Sequence, residues 1–131
     1  MAPQVTTTPD LKGREDLLLR RLLGLYQEEI QVYGQILQLS RQQGHMIQQG
    51  LPLAEIRKIL DQKKKCLDLI SRLEATERQA KQAWDNGRHQ WSARGRSQLH
   101  QMLGRVGELI EQILICEEEN DLHLIQQTGA V

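Results

Sequence analysis

The sequence predicts an all-α fold: an elongated, antiparallel three-helix bundle of coiled-coil type. Three observations lead there. Apolar residues return in alternating four- and three-residue steps over long stretches, the heptad repeat that keeps one helix face turned toward partner helices. The composition is that of long helices. Leu, Ile, Gln, Glu, Lys and Arg dominate, aromatic residues total 3% and Phe is absent, so a β-rich core is not expected. Two breaks with turn chemistry, Gly50-Leu51-Pro52 and Asp85-Asn86-Gly87, divide the periodic chain into three.

Residues 1–9 form a polar tail with Pro3, three threonines and Pro9, expected to be disordered. Thr8 is placed to cap a helix that has Pro9 in its first turn. The rest, residues 10–128, reads as a single helical domain. The first helix is expected from about Asp10 to about Gln48. Its seam is Leu19, Leu23, Tyr26, Ile30, Tyr33, Leu37, Ser40, Gly44 and Ile47, widened by Leu18, Leu22 and Ile36. A stripe of that width suits burial against two neighbours. Gly24, Gly34 and Gly44 each cost about 1 kcal/mol relative to Ala, so they are expected to permit close approach or to mark bends. The polar second half, from Leu39 to Gly50, is expected to be the least firmly held.

Gly50 suits a helix C-terminal cap and Pro52 the first turn of the next helix. The second helix is expected over about 52–84, with a core face of Leu53, Ile56, Ile59, Leu60, Leu67, Ile70 and Leu73. Lys63, Lys64 and Lys65 interrupt that face and read as a solvated row whose stems cover apolar surface. After Leu73 the pattern fades. Gly87 opens a connection in which Arg88, Arg94 and Arg96 lie among Trp84 and Trp91. Arginines interleaved with aromatics can grip single-stranded nucleic acid. Two rings and three arginines are few for that task, so Arg88–Arg96 is read as a mobile connection. The third helix is expected over about 92–127, stopped by Gly129. Its seam is Leu99, Leu103, Val106, Ile110, Ile113, Glu117, Asn120 and Leu124. The seam turns polar at Glu117 and Asn120 before Leu124 and Ile125 restore it.

Short connections force neighbouring helices to run antiparallel, so the three pass up, down and up. Each is roughly 45–60 Å long at about 1.5 Å per residue. A rod of this shape buries less surface than a globule of equal mass, which makes homodimerisation a further expectation.

The 131 residues carry 17 basic and 17 acidic side chains, so bulk charge points to neither nucleic acid nor a membrane surface. No apolar run approaches the roughly 20 residues that span a bilayer, and the start lacks the features of a secretory signal. Cys66 and Cys116 lie inside helical patterns and read as reduced residues of a cytoplasmic protein. His45, His89, His100 and His123 form no zinc-ligand spacing. Glu119 stands four residues before His123, not the three of a di-iron bundle motif. Cys116 and His123 are about two helical turns apart, too far to serve as nucleophile and base. Gly104 and Gly107 form no phosphate loop. No catalytic, metal-binding or cofactor-binding residue is therefore assigned, and an enzyme is not expected. Glu117-Glu118-Glu119 opposes the helix macrodipole near a C-terminus, a cost that suggests a role outside stability.

Three stretches resemble the FlgN family of flagellar export chaperones. They are LLLRRLLGLYQEEIQVYGQILQL at Leu17–Leu39, GLPLAEIRKILDQKKKCLDLISRLE at Gly50–Glu74, and LGRVGELIEQILICEEENDLHLI at Leu103–Ile125. The shared layout is a leucine-rich first helix, a small-residue turn, a helix rich in leucine and lysine, and a final helix with asparagine followed by apolar residues. The family often has a second asparagine one turn before the one matched by Asn120; here Cys116 or Glu117 stands there. The resemblance implies a cytoplasmic, non-enzymatic chaperone. Such a protein binds the C-terminal helical segments of hook-associated (hook–filament junction) proteins, prevents their premature self-association, and delivers them to the flagellar export gate.

The partner-binding candidates are Ile113, Glu117, Asn120, Leu124 and Ile125, where the seam loses its structural rationale. They would form a groove for an amphipathic helix if the first helix opens near Gly44–Gln49. The alternative reading is a coiled-coil scaffold or oligomerising subunit that uses the same seams and has no chaperone role.

Overall fold

The computed structural model describes residues 10–87 and 89–129. The expected disorder of residues 1–9, the Thr8 cap and Arg88 lie outside the described residues. Helix α1 spans Asp10–Gln48, α2 Leu53–Asn86 and α3 Ala93–Thr128, and no strand occurs among the described residues. The three-helix bundle read from periodicity is the observed fold, with each boundary within two residues of expectation.

The ends follow from cap chemistry. Gly50 takes φ of 69°, Leu51 N–H donates to Met46 O and Gly50 N–H to Ile47 O, a Schellman arrangement that a side chain at Gly50 would strain. Pro52 occupies the N-cap of α2. Ser92 caps α3, its Oγ accepting from Gly95 N–H at 3.0 Å. Glu15 of α1 supports that cap from across the bundle, accepting from Ser92 N–H and from Ser92 Oγ–H, both at 2.6 Å.

Helix α1 is the centre of the molecule. It packs along α2 and along α3, whereas no Cα of α2 lies within 8 Å of one in α3. One neighbour on each side explains the wide apolar stripe of α1. Leu19, Leu22, Tyr26 and Ile30 pack with Trp84, Trp91, Leu99 and Val106. Further along, Val32, Ile36 and Leu39 pack with Ile59, Cys66, Ile70 and Leu73.

Helix α2, with a single close neighbour, buries a single seam: Ile56, Ile59, Lys63, Cys66, Ile70, Leu73, Glu77, Ala80 and Trp84. This corrects the expected face in two ways. Leu53, Leu60 and Leu67 lie outside it, 64%, 46% and 52% exposed. Lys63 is inside it, and the seam continues to Trp84 through a polar residue and a small one. The connection into α3 is also corrected. Trp91 is buried and stacks on Trp84 with centroids 5.0 Å apart, and its Nε1–H donates to Trp84 O at 2.5 Å. A packed corner stands where a mobile connection was expected, and both rings are turned inward, away from any base.

The second half of α1 is likewise held rather than loose. Ser40 and Ile47 are among the most deeply buried side chains, and the helix continues through Gln48. Of the four α1 glycines, Gly44 alone meets a neighbour. A Cβ there would fall 2.5 Å from Asn120 Oδ1, while Gly24 and Gly34 have nothing within 4 Å.

Candidate functional site

Because α2 and α3 both lean on α1 without touching through their backbones, a trough runs between them over α1. Its floor is Tyr26, Glu29 and Tyr33. Glu74, Glu77, Arg78 and Lys81 form the α2 wall, and Leu103, Val106 and Ile110 the α3 wall. Trp84 and Asp85 of α2 and His100 of α3 extend it toward the tryptophan corner. Helical geometry carries the walls further, since residues one heptad apart share a face. The α2 edge therefore runs Leu53, Leu60, Leu67, Glu74, Lys81, and the α3 edge runs Leu103, Ile110, Glu117, Leu124. Leu114, one turn beyond Ile110, is 61% exposed on the same edge. The polar surface of the walls gathers near Glu74–Lys81 and again at Lys63–Glu117, and apolar side chains extend on either side of that pair toward Leu53 and Leu124.

A polar layer crosses the bundle at the level of Lys63. Its ammonium donates to Gln43 Oε1 at 2.9 Å and pairs with Glu117 Oε1. Glu117 Oε1 also accepts from Ser40 Oγ–H at 2.5 Å. One turn on, Asn120 Nδ2–H donates to Ser40 O at 2.8 Å. The layer joins all three helices, and it is the direct polar link between α2 and α3 among the described residues. A charge this buried is tolerated only when paired and hydrogen-bonded, as Lys63 is.

A second polar feature lies at the trough floor. Glu29 and Glu77 are 3% and 6% exposed, and their carboxyls face one another at hydrogen-bonding range. Burial, the contact with Glu77 and the nearby Glu74 push the Glu29 carboxyl up to about 8, and burial raises Glu77 as well. At neutral pH the pair therefore holds a proton. Even so, Glu29 Oε1 and Glu77 Oε2 have no hydrogen-bond partner. Tyr26 and Tyr33 beside them are pushed up to about 12, by burial first and by neighbouring carboxylates second.

The predicted site residues separate. Asn120 is 3% exposed and bonded to Ser40, and Glu117 is committed to Lys63 and Ser40. These two bind within the chain, which accounts for the polar turn of the α3 seam and for the position of Glu117. Ile113 packs against the α1–α2 core. Leu124 is half-buried on the trough edge, and Ile125 is 42% exposed. The expected opening of α1 at Gly44–Gln49 is replaced by a continuous helix that covers this part of α3. Lys64 and Lys65 are exposed, as read, whereas Lys63 is not.

Sequence reasoning missed Glu29, Glu77 and Lys63. A signal existed for two of them: Lys63 and Glu77 fall on the three–four spacing that runs from Ile56 to Trp84. Among the described residues no cluster of His, Cys, Asp and Glu is arranged to hold a metal ion. Cys66 and Cys116 are free, and burial pushes both thiols up, away from the reactive thiolate. No helix of the described residues is long and apolar enough to cross a membrane. No family model, curated protein or solved structure matches the chain.

Proposed function

We propose that the chain is a helix-binding chaperone of the flagellar export type, acting in the cytoplasm. It holds the C-terminal helical segment of a hook-associated protein, keeps that segment from self-association, and hands it to the export gate. The trough is the observation that supports this reading. Two helices flank a third with no backbone contact between them, three sides of a four-helix arrangement. Both edges carry leucines that the fold does not bury, Leu60 and Leu67 on α2 and Leu103 and Leu114 on α3. An amphipathic helix laid in such a groove buries its apolar face against those edges. Leu124 and Ile125 extend the same apolar surface at the far end of α3.

The test is calorimetric titration of the chain with the C-terminal segment of a hook–filament junction protein. L60A/L67A and L124A/I125A serve as variants, each checked for helicity by circular dichroism. The expected result is binding by the parent and at least about tenfold weaker binding by each helical variant, from loss of roughly 1.5 kcal/mol or more of apolar burial. Absence of binding by the parent, or unchanged binding by both variants, refutes the proposal.

A further inference from the structure

We propose that the trough takes an amphipathic helix whose apolar face carries one arginine or lysine, seated over the facing carboxyls of Glu29 and Glu77. The inference rests on the helix-binding reading and adds to it the chemistry of the partner. An ordinary apolar groove has an apolar floor. This one has two nearly fully buried carboxyls, each with one oxygen unbonded, beneath an opening walled by Leu103, Val106 and Ile110. A buried acceptor without a donor is costly, and a cation arriving from above supplies donors to both carboxyls at once.

The charged groups around the pair are consistent with an incoming cation. From α1, Tyr26 and Tyr33 flank Glu29, both neutral phenols well above neutral pH. From α2, Glu74 adds negative charge, while Arg78 and Lys81 are exposed on the rim. Lys81 lies close enough to lower the proton affinity of both carboxyls, yet neither it nor Arg78 is bonded to them. Helix α3 faces the pair with Leu103, Val106 and Ile110, and its His100 stands further along the trough beside Tyr26 and Lys81. The free protein eases the repulsion between the two carboxyls by holding a proton on the pair, which leaves the unbonded oxygens without a donor. When a guanidinium enters, that proton leaves to solvent and two carboxylates accept from the guanidinium N–H groups. Binding is thereby coupled to proton release near neutral pH.

The experiment uses the full chain and two synthetic amphipathic helical peptides, identical except for arginine or glutamine at the centre of the apolar face. Titration calorimetry is run at neutral pH in two buffers of different ionisation heat. The expected result is at least about tenfold tighter binding of the arginine peptide, with proton release that the glutamine peptide does not show. E29Q/E77Q, checked for unchanged helicity, is expected to erase both the preference and the proton release. Should that variant fail to fold, the preference and the proton release of the parent chain decide the matter. The inference is overturned by equal affinity for the two peptides, by binding of neither, by a preference that survives E29Q/E77Q, or by a free protein whose self-association excludes both peptides. The two readings fail separately. A hook-protein segment that binds regardless of Glu29 and Glu77 removes this inference and leaves the chaperone. Arginine-selective binding without affinity for that segment removes the chaperone and leaves this inference.

Discussion

Replacing Gly44 by alanine tests the close packing of α1 on α3 at the polar layer. An alanine in a helix interior is ordinarily about 1 kcal/mol better than glycine. At Gly44 the new Cβ would lie 2.5 Å from Asn120 Oδ1 and 3.5 Å from its Cγ. Real carbon–oxygen contacts do not come so close, so Asn120 must swing aside. In doing so it gives up its 2.8 Å bond to Ser40 O and leaves its own buried amide N–H without an acceptor. That loss is worth about 1–3 kcal/mol and outweighs the propensity gain. G44A is therefore expected to be destabilised by up to about 2 kcal/mol. In an N120A background the obstruction is gone, and the same change is expected to stabilise by about 1 kcal/mol. The double-mutant cycle should return a coupling of about 1–3 kcal/mol. Urea unfolding followed by circular dichroism measures all four proteins. G24A and G34A, where nothing lies within 4 Å, serve as controls expected to stabilise by about 1 kcal/mol each. A G44A protein as stable as G24A, or a cycle with no coupling, refutes the reasoning.

Other perturbations probe the remaining polar contacts. Glu29 carries a folded-state value of about 8 against an ordinary 4.5, so the folded chain binds its proton more tightly than the unfolded chain. Its favourable contribution is complete below about pH 4.5 and is lost as pH rises to about 8. E29Q, neutral throughout, should gain on the parent across that window by about 1–3 kcal/mol and then level off, as thermal unfolding at a series of pH values would show. K63M strands Gln43 and Glu117 and should cost about 2–3 kcal/mol in urea unfolding, whereas K63M/E117L should recover most of it, because an apolar pair can replace a buried ion pair. E15A removes both acceptors at Ser92 and should cost about 1–2 kcal/mol, with amide-exchange protection lost first in the opening turn of α3.

The helices and their ends were legible in the sequence because their causes are local. Gly50 before Pro52, Ser92 before a helical run and Gly129 after one carry cap chemistry in a few adjacent residues. The wide stripe of α1 was legible too, as the mark of two neighbours. The facing of α2 was legible only in part: Ile56, Ile59, Ile70 and Leu73 are buried as read, whereas Leu53, Leu60 and Leu67 are not. It carries two heptad rows side by side, one through Leu53, Leu60 and Leu67 and one through Ile56, Lys63 and Ile70. Hydrophobicity alone favours the first. The second wins because Lys63 finds Gln43 and Glu117, which lie 20 and 54 residues away in sequence. A buried polar side chain is recognisable only with its partners, and periodicity does not name partners. The same limit hid the Glu29–Glu77 pair and made Glu117 and Asn120 look free for another protein. Trp91 was misread for a related reason: its ring is fixed by Trp84, across a turn whose residue types alone suggest motion.

The unburied leucine rows separate a helix-binding role from a self-associating scaffold. A helix with one close neighbour needs one apolar seam, and α2 has that seam. Leu53, Leu60 and Leu67 lie outside that seam and keep about half or more of their surface exposed, and a row of exposed apolar side chains carries a solubility cost. The helix-binding reading proposed above accounts for it by a partner that covers these rows. If that were a second copy in the usual two-fold arrangement, the same patch would face itself. Where the two-fold axis passed through the trough floor, Glu29 and Glu77 would be set against their equivalents. Four buried carboxyls at one interface would raise one another's proton affinity further and still lack donors. A partner with a basic residue in an apolar face removes both difficulties, covering the leucines and supplying the donors. On the helix-binding reading proposed above, the charge at the trough floor is better met by a different protein than by a second copy.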